Sequence, residues 1–315
     1  MFMLVHFWGT RGSLPASLNA EKVRQKIINA LKVAQGKIFA NDSALERFLD
    51  RELPFAVRGT YGGNSSCVEI RGGDEYILCD AGTGLRDFGQ SAAGTRGVYN
   101  IFLSHLHGDH IQGFPFFTPA YTPGNRINIY SYDPGMEQAL VAQQGPPFFP
   151  VPFHAMGAEI AFHPLEQDTV YQIAGCKVRG MRQQHPGGSY GYRFEKDGRS
   201  VIYSTDSEHK RDAENPVYAY LDFIRETDLL IFDAQYTLFD AIGDKENWGH
   251  ANNILAVELA VEGMVKHLCL FHHEHTYDDD IFDELLEDTR TYLKILSEES
   301  TLEITMAYDG LEIKI

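Results

Sequence analysis

The chain has 315 residues, 43% of them hydrophobic and 12% aromatic, enough to bury one large core, and it reads as a single domain over residues 1–315. A formal net charge of −17 repels phosphate backbones and argues against long nucleic acid as the substrate unless a metal site supplies local positive charge. No run approaches the ~18 apolar residues of a membrane span, the opening "MFMLVHFWGTRGS" lacks a signal-peptide pattern, and four scattered cysteines (Cys67, Cys79, Cys176, Cys269) read as free thiols of a cytoplasmic protein.

In chain order, the apolar run "MLVHFWG" reads as the first strand. Residues 17–58 read as a helical insertion. In "NAEKVRQKIINALKVAQG", Val23, Ile27, Ala30, Leu31 and Ala34 recur at three and four residues, and "DSALERFLDREL" opens on an Asp/Ser cap signal. Strands follow in "SSCVEIRG", "YILCDAG", "VYNIFLSH" and "RINIYSY". The Pro-, Gly- and Phe-rich segment "AQQGPPFFPVPFHAMG", residues 142–157, reads as a loop arching over something. Its Phe148, Phe149 and Phe153 suit stacking on a base, or simple packing, or a dimer contact. Later strands are "KVRGMRQQ", "YGYRFEKDG", "SVIYSTD", "DLLIFDAQ", "HLCLFHH" and "LEITMAYDGLEIKI". Two further helices are expected. "ANNILAVELAVEGM" closes near Gly263, and "DIFDELLEDTRTYLKILSEE" places Ile281, Leu285, Tyr292 and Leu296 on one side. Many strands with few helices between them predict a layered α/β domain, sheet on sheet with helices outside.

The stretch "SHLHGDHIQGF" concentrates His105, His107, Asp109 and His110 where a buried strand should turn into a helix. Neutral imidazole nitrogen and hard carboxylate oxygen are zinc-type ligands, and a loop at a strand's carboxyl end can wrap a metal pair.

This H-x-H-x-D-H run resembles the signature of the metallo-β-lactamase superfamily, and the resemblance extends in order over nearly the whole chain. It implies a four-layer αββα sandwich with two metal ions between the sheets. It also implies the remaining ligands: His185 in "RQQHPGGSYGYRF", Asp206 ending "VIYSTD", and His272 or His273 after "HLCLF", the alignment favouring His272. One ion would take His105, His107 and His185, the other Asp109, His110 and His272, with Asp206 between them. Zinc is the expected metal, with manganese and iron as alternatives.

"FWGTRGSLP", "GGNSSCVEI" and "ILCDAGTG" resemble the phosphodiesterase branch, which includes ribonuclease Z and cyclic-nucleotide phosphodiesterases. "WGHANNILAVELA" and "LLIFDAQY" resemble that branch's catalytic helix opening and carboxylate strand end, which implies His250 as a proton donor held by Asp233. "HAN" replaces the branch's "HST", and Asp replaces its Glu. Asp80 is expected to support a ligand histidine, and Asn64, His209 and Arg11 to contact substrate or the site. The reading is a dinuclear metal-dependent hydrolase, a phosphodiesterase acting on a small diester such as a cyclic nucleotide, with a homodimer as one possible assembly. The rivals are a lactone, thioester or β-lactam hydrolase using the same metals, a ribonuclease Z-like endonuclease, and a non-catalytic metal-dependent sensor.

Overall fold

The computed structural model describes residues 3–209, 217–243 and 245–315. The first six strands are β1 (Leu4–Gly9), β2 (Cys67–Arg71), β3 (Tyr76–Cys79), β4 (Val98–Phe102), β5 (Arg126–Ser131) and β6 (Glu159–Pro164). They continue as β7 (Tyr171–Ile173), β8 (Cys176–Gln183), β9 (Ser189–Lys196), β10 (Arg199–Ser204), β11 (Leu229–Asp233), β12 (His267–Phe271), β13 (Glu303–Met306) and β14 (Glu312–Lys314). One sheet has the order β14-β1-β2-β3-β4-β5-β6, the other β13-β12-β11-β10-β9-β8-β7.

The central strands are apolar on both faces because both faces are covered. In β12, Cys269 and Phe271 enter the core between the sheets, whereas Leu268 and Leu270 face outward into a helix-covered core. In β3, Ile77 and Cys79 point inward and Leu78 outward. The helices are α1 (Ala20–Val33), α2 (Asp42–Glu52), α3 (Phe55–Arg58), α4 (Gly84–Ser91), α5 (Gly108–Ile111) and α6 (Met136–Gln143), then α7 (Val217–Ile224), α8 (Leu238–Ile242), α9 (Asn253–Glu262) and α10 (Asp279–Leu296). Phe88 of α4 and Leu140 of α6 pack on the first sheet; Ala256 and Val257 of α9 and Phe282 and Leu285 of α10 pack on the second. The layers are therefore helix, sheet, sheet, helix. No helix among the described residues is long and apolar enough to cross a membrane, and all four cysteines are free and buried.

Strands β3 to β6 run parallel, as do β10 to β13. Their carboxyl ends gather Asp80, His105, Asp206, Asp233 and His272 along one edge of the sandwich, where loops can project side chains without breaking the ladders.

Several elements depart from the sequence expectation. "LEITMAYDGLEIKI" is not one strand: β13 joins the second sheet, and after a turn β14 pairs with β1 in the first. α4, over "GLRDFGQS", is not among the expected helices; its first glycine is required by close packing, since a Cβ at Gly84 would lie 2.6 Å from the Trp8 backbone. α10 buries Phe282, Leu285, Thr289 and Leu293, one step round from the expected stripe, because Phe282 inserts beside Tyr61 and His273. α1 is helical as its spacing predicts, but its apolar stripe faces solvent: Val23, Ile27 and Leu31 are exposed and no residue of the helix is buried. In the 142–157 segment Phe153 stacks between Phe114 and Phe162, so its ring packs on protein and is not free to meet a base. Phe149 leans on Phe116, and Phe148 is exposed.

Candidate metal centre

Seven side chains from the carboxyl ends of both sheets converge. Nε2 of His185 lies 3.1 Å from Nδ1 of His107. Oδ2 of Asp206 lies 3.6 Å from Nε2 of His105 and 3.7 Å from Nε2 of His185. The other oxygen of Asp206, Oδ1, lies 3.3 Å from Nε2 of His110 and 3.3 Å from Nε2 of His272. Oδ2 of Asp109 completes that second group, 3.2 Å from His110 Nε2 and 3.3 Å from His272 Nε2. Two clusters result, His105–His107–His185 and Asp109–His110–His272, with one Asp206 oxygen facing each.

The backbone holds these groups at a cost. Asp80, Asp206 and His272 follow strand ends with φ of 61°, 51° and 62°, a left-handed conformation costing about 1–2 kcal/mol for a residue with a Cβ. Each conformation re-aims a side chain that would otherwise follow the pleat into the core. The next residue shows the alternative: His273 points away, its Nε2 2.7 Å from the Ala307 carbonyl.

Each histidine that aims Nε2 inward has its other ring nitrogen occupied. Nδ1 of His105 meets Ser104 Oγ at 3.0 Å, and Nδ1 of His110 meets Asp80 Oδ2 at 2.6 Å. Nδ1 of His185 donates to the Gly249 carbonyl at 2.9 Å, and Nδ1 of His272 meets Gln235 Oε1 at 3.1 Å. The Gln235 amide nitrogen donates to the Glu274 carboxylate at 2.8 Å, which turns its oxygen toward His272. Nδ1 therefore carries a proton in each ring facing a carbonyl or carboxylate acceptor, which leaves Nε2 as the nitrogen that can take a cation in place of a proton.

Asp80, Asp109, Asp206 and Asp233 are all buried, and among the described residues their ion-pair partners are histidines alone, with no Lys or Arg. Burial by itself would raise the Asp206 pKa, but His272, His110 and His105 hold it well below the usual carboxylate range. Burial opposes the shift of Asp109 as well, and His110 and His272 hold its carboxyl low. Burial would depress His110, but Asp109, Asp206 and Asp80 push it well above the usual imidazole value. His105 and His185 are depressed, chiefly by burial. The cleft is thus short of positive charge, and Nε2 of both His105 and His110 is buried without a hydrogen-bond partner. Divalent cations fit both facts: they replace a proton among carboxylates and occupy orphaned nitrogens.

His250 borders both clusters. Its ring lies 5.1 Å from that of His185 and stacks on His272, also at 5.1 Å. Nδ1 meets Asp233 Oδ2 at 2.9 Å. Asp233 is held in turn by the backbone N–H groups of Ser207 and Gln235, both at 3.1 Å. Burial would lower the His250 pKa, but Asp233, with Asp206 and Asp109, pushes it up to about 9.

Asp80 stands behind His110 and also accepts from Ser104 and Tyr203. The other polar candidates lie elsewhere. Arg11 is a buried clamp, donating to the carbonyls of Gly62, Glu274 and Tyr277, with its guanidinium over Phe282. Asn64 ties Asp87 to Thr83. His209 packs against Tyr220 and Phe232, and burial lowers its pKa to about 3. None of these three side chains contacts the two clusters among the described residues, because each is spent inside a loop or the outer core.

Residues that the sequence did not single out carry much of the support. Ser13 N–H donates to Asp109 Oδ2 at 2.8 Å, and a Cβ at Gly12 would lie 2.6 Å from the His272 ring. A Cβ at Gly249 would meet His185 Nδ1 at 2.5 Å. "GTRGS" and "WGH" do contain these glycines, but which ring each one faces depends on contacts remote in sequence.

Residues 75–273, more than half of the chain, match the family described as β-lactamase superfamily domain. The chain belongs to the β-lactamase superfamily. Ribonuclease Z of Picrophilus torridus is a 26% identical relative over 254 residues, covering 64% of this chain and 77% of that one. Ribonuclease Z of Methanosarcina acetivorans is 23% identical over 301 residues, covering 79% and 94%. The metallo-β-lactamase fold protein YhfI of Bacillus subtilis superposes with a TM-score of 0.63 at 19% identity, covering 99% of both chains, a likeness of fold. This superfamily member is a metal-dependent hydrolase with an αββα sandwich.

Proposed function

We propose that the chain is a phosphodiesterase acting on small diesters, cyclic nucleotides among them, with two ions held by His105, His107, His185, Asp109, His110, His272 and the bridging Asp206. Zinc suits this mixed His/Asp set, as do manganese and iron. The observation that carries the reading is the His250–Asp233 pair beside both clusters. Bound there, two such ions would supply Lewis acidity, activating a water and neutralising charge on the reacting group. The chain's own residues then have to deliver a proton to the departing alkoxide. Asp233 engages Nδ1 of His250, so Nε2 is the nitrogen available to the substrate. A pKa pushed up to about 9 by Asp233 keeps His250 of the metal-free protein protonated at neutral pH, the form a proton donor needs. A lactone or β-lactam hydrolase would leave the pair idle.

The test uses His250→Ala with its metal content verified. It should lose ~10²–10⁴-fold on a cyclic or alkyl diester and much less on a bis-nitrophenyl phosphate, whose leaving group needs no proton. Equal losses on both would sink the proton-donor role. Lactone turnover exceeding diester turnover would favour the acyl-hydrolase alternative. A second reading, RNA cleavage, is favoured by the ribonuclease Z relatives. The acidic surface opposes it, and cleavage of a structured RNA faster than of any small diester would establish it.

A further inference from the structure

The turn after His185 separates the metal cleft from a second groove. Gly187 and Gly188 have φ of 85° and 89°, and Gly188 N–H closes the turn onto the His185 carbonyl at 2.8 Å. A Cβ at Gly187 would lie 3.9 Å from Nε2 of His107; one at Gly188 would lie 3.8 Å from Nη2 of Arg182. A metal-cluster histidine thus sits on one side of the turn and a guanidinium on the other. A cavity of about 140 Å³ lies against the turn, lined by His105, Asp133, Arg182 and both glycines. A larger cavity, about 320 Å³, shares Tyr132, Arg182 and Tyr190 with it and runs on to Gln167 and Arg179.

The groove follows a free sheet edge. β7 pairs only with Cys176 to Val178, so β8 is uncovered beyond that point. Arg182 and Tyr190 are direct cross-strand neighbours. Tyr190 stacks on Tyr132 at 4.6 Å, and Tyr132 is fixed by the Gly180 N–H at 2.9 Å. A Cβ at Gly180 would lie 2.2 Å from the Tyr132 ring, so a glycine is what lets that ring back the groove. Arg182 is exposed and has no carboxylate within ion-pair distance among the described residues, whereas nearby Arg193 is paired with Glu195 at 2.6 Å. Two acids line the groove beside the arginines: Asp133, with one oxygen engaged by the Gly135 N–H at 2.7 Å, and Asp168 in the larger cavity. In a chain of net charge −17, a guanidinium with no carboxylate partner among the described residues, one turn from the metal clusters, is a local attractor for anions.

We propose that this groove is a second substrate subsite, in which Arg182 holds a further phosphate of a dinucleotide-type substrate and Tyr190, backed by Tyr132, carries the adjoining base. The proposal rests on the phosphodiesterase reading and narrows it from single-phosphate esters to diesters bearing a second phosphate. In the reaction implied, water adds to the diester phosphorus and the P–O bond to the leaving ribose breaks. That ribose oxygen takes a proton. A 5′-phosphorylated diadenylate plus water gives two adenosine monophosphates.

The experiment compares that diadenylate with the same dinucleotide lacking the terminal phosphate, using the metal-loaded protein. The wild type should show a KM at least about tenfold lower for the phosphorylated form. Arg182→Gln should remove that preference while keeping its metal content, its kcat on the unphosphorylated dinucleotide and its turnover of bis-nitrophenyl phosphate. Arg182→Lys should recover part of the preference, since it keeps the charge but loses the fork. No wild-type preference, or an equal KM rise on both dinucleotides in Arg182→Gln, would overturn the subsite. If neither dinucleotide is hydrolysed, the phosphodiesterase reading fails by itself, and calorimetric titration with adenosine monophosphate decides the subsite. Binding about tenfold weaker in Arg182→Gln would support it, and equal binding would reject it.

Discussion

The two halves of the metal centre are built differently. The half formed by His105, His107 and His185 offers three imidazoles and no carboxylate of its own, and His107 lies open to solvent. The half formed by Asp109, His110 and His272 is buried and carries a carboxylate of its own besides its share of Asp206. It is also the better braced: Asp80 stands behind His110, Gln235 behind His272, and the Ser13 N–H on Asp109. Burial raises the cost of an uncompensated carboxylate, so the half with more charge and less water has more to gain from a cation. The buried half should therefore hold its ion more tightly, and the open half should exchange first.

The largest effect should come from removing what the halves share. Asp206→Ala should cost both ions by elemental analysis and, through lost charge stabilisation, on the order of 10³-fold in kcat/KM. Retention of two ions would show that Asp206 does not bridge. Next, single-ligand variants should separate the halves. His110→Ala should lose the slowly exchanging ion and His107→Ala the one that a chelator strips first; the reverse assignment would invert the comparison. A third expectation concerns His250, which touches both halves. In the metal-free protein its folded pKa of about 9 lies above an unfolded value of about 6.5. Its contribution to stability is therefore complete below about pH 6.5 and is lost as pH rises through about 9. Denaturant unfolding of metal-free wild type should lose up to about 3 kcal/mol over that window relative to His250→Gln, and metal loading should flatten the slope. Parallel curves for the two proteins would remove Asp233 as the cause. The smallest effect should be Gln235→Ala, which leaves every ligand in place. It should weaken metal binding about 10–100-fold in the buried half alone, and equal weakening of both halves would contradict the separate bracing.

How much of this was legible in the sequence follows from how local each signal is. The H-x-H-x-D-H run lies on one loop, so its residue types declare themselves without a fold. His185, Asp206 and His272 each end an apolar strand, which made them legible through resemblance. The choice of His272 over His273 becomes physical only with the φ of 62° that turns His272 inward. Arg11 and Asn64 misled because glycine-flanked polar residues near a site resemble contacts; both instead satisfy carbonyls or carboxylates within loops. Gln235 was invisible because an amide after a strand end carries no signal until Glu274 fixes which way it points. α4 hid behind its glycines, and the exposed stripe of α1 carries a buried helix's pattern with nothing over it.

The contact of Gly12 with the ring of His272 has a consequence for the order in which the centre can be assembled. A chain emerging from the ribosome presents His105, His107, His185 and Asp206 well before His272, so an ion can lodge in the open half of a nascent chain. The buried half cannot close until the strand ending at His272 has been made and laid against the segment around Gly12. An ion held there would fasten early chain to late chain as a reversible cross-link, spanning a loop whose closure entropy the unfolded polymer would otherwise retain. A chelator acting on that half cuts the cross-link, and chains arrested before His272 should carry one ion rather than two.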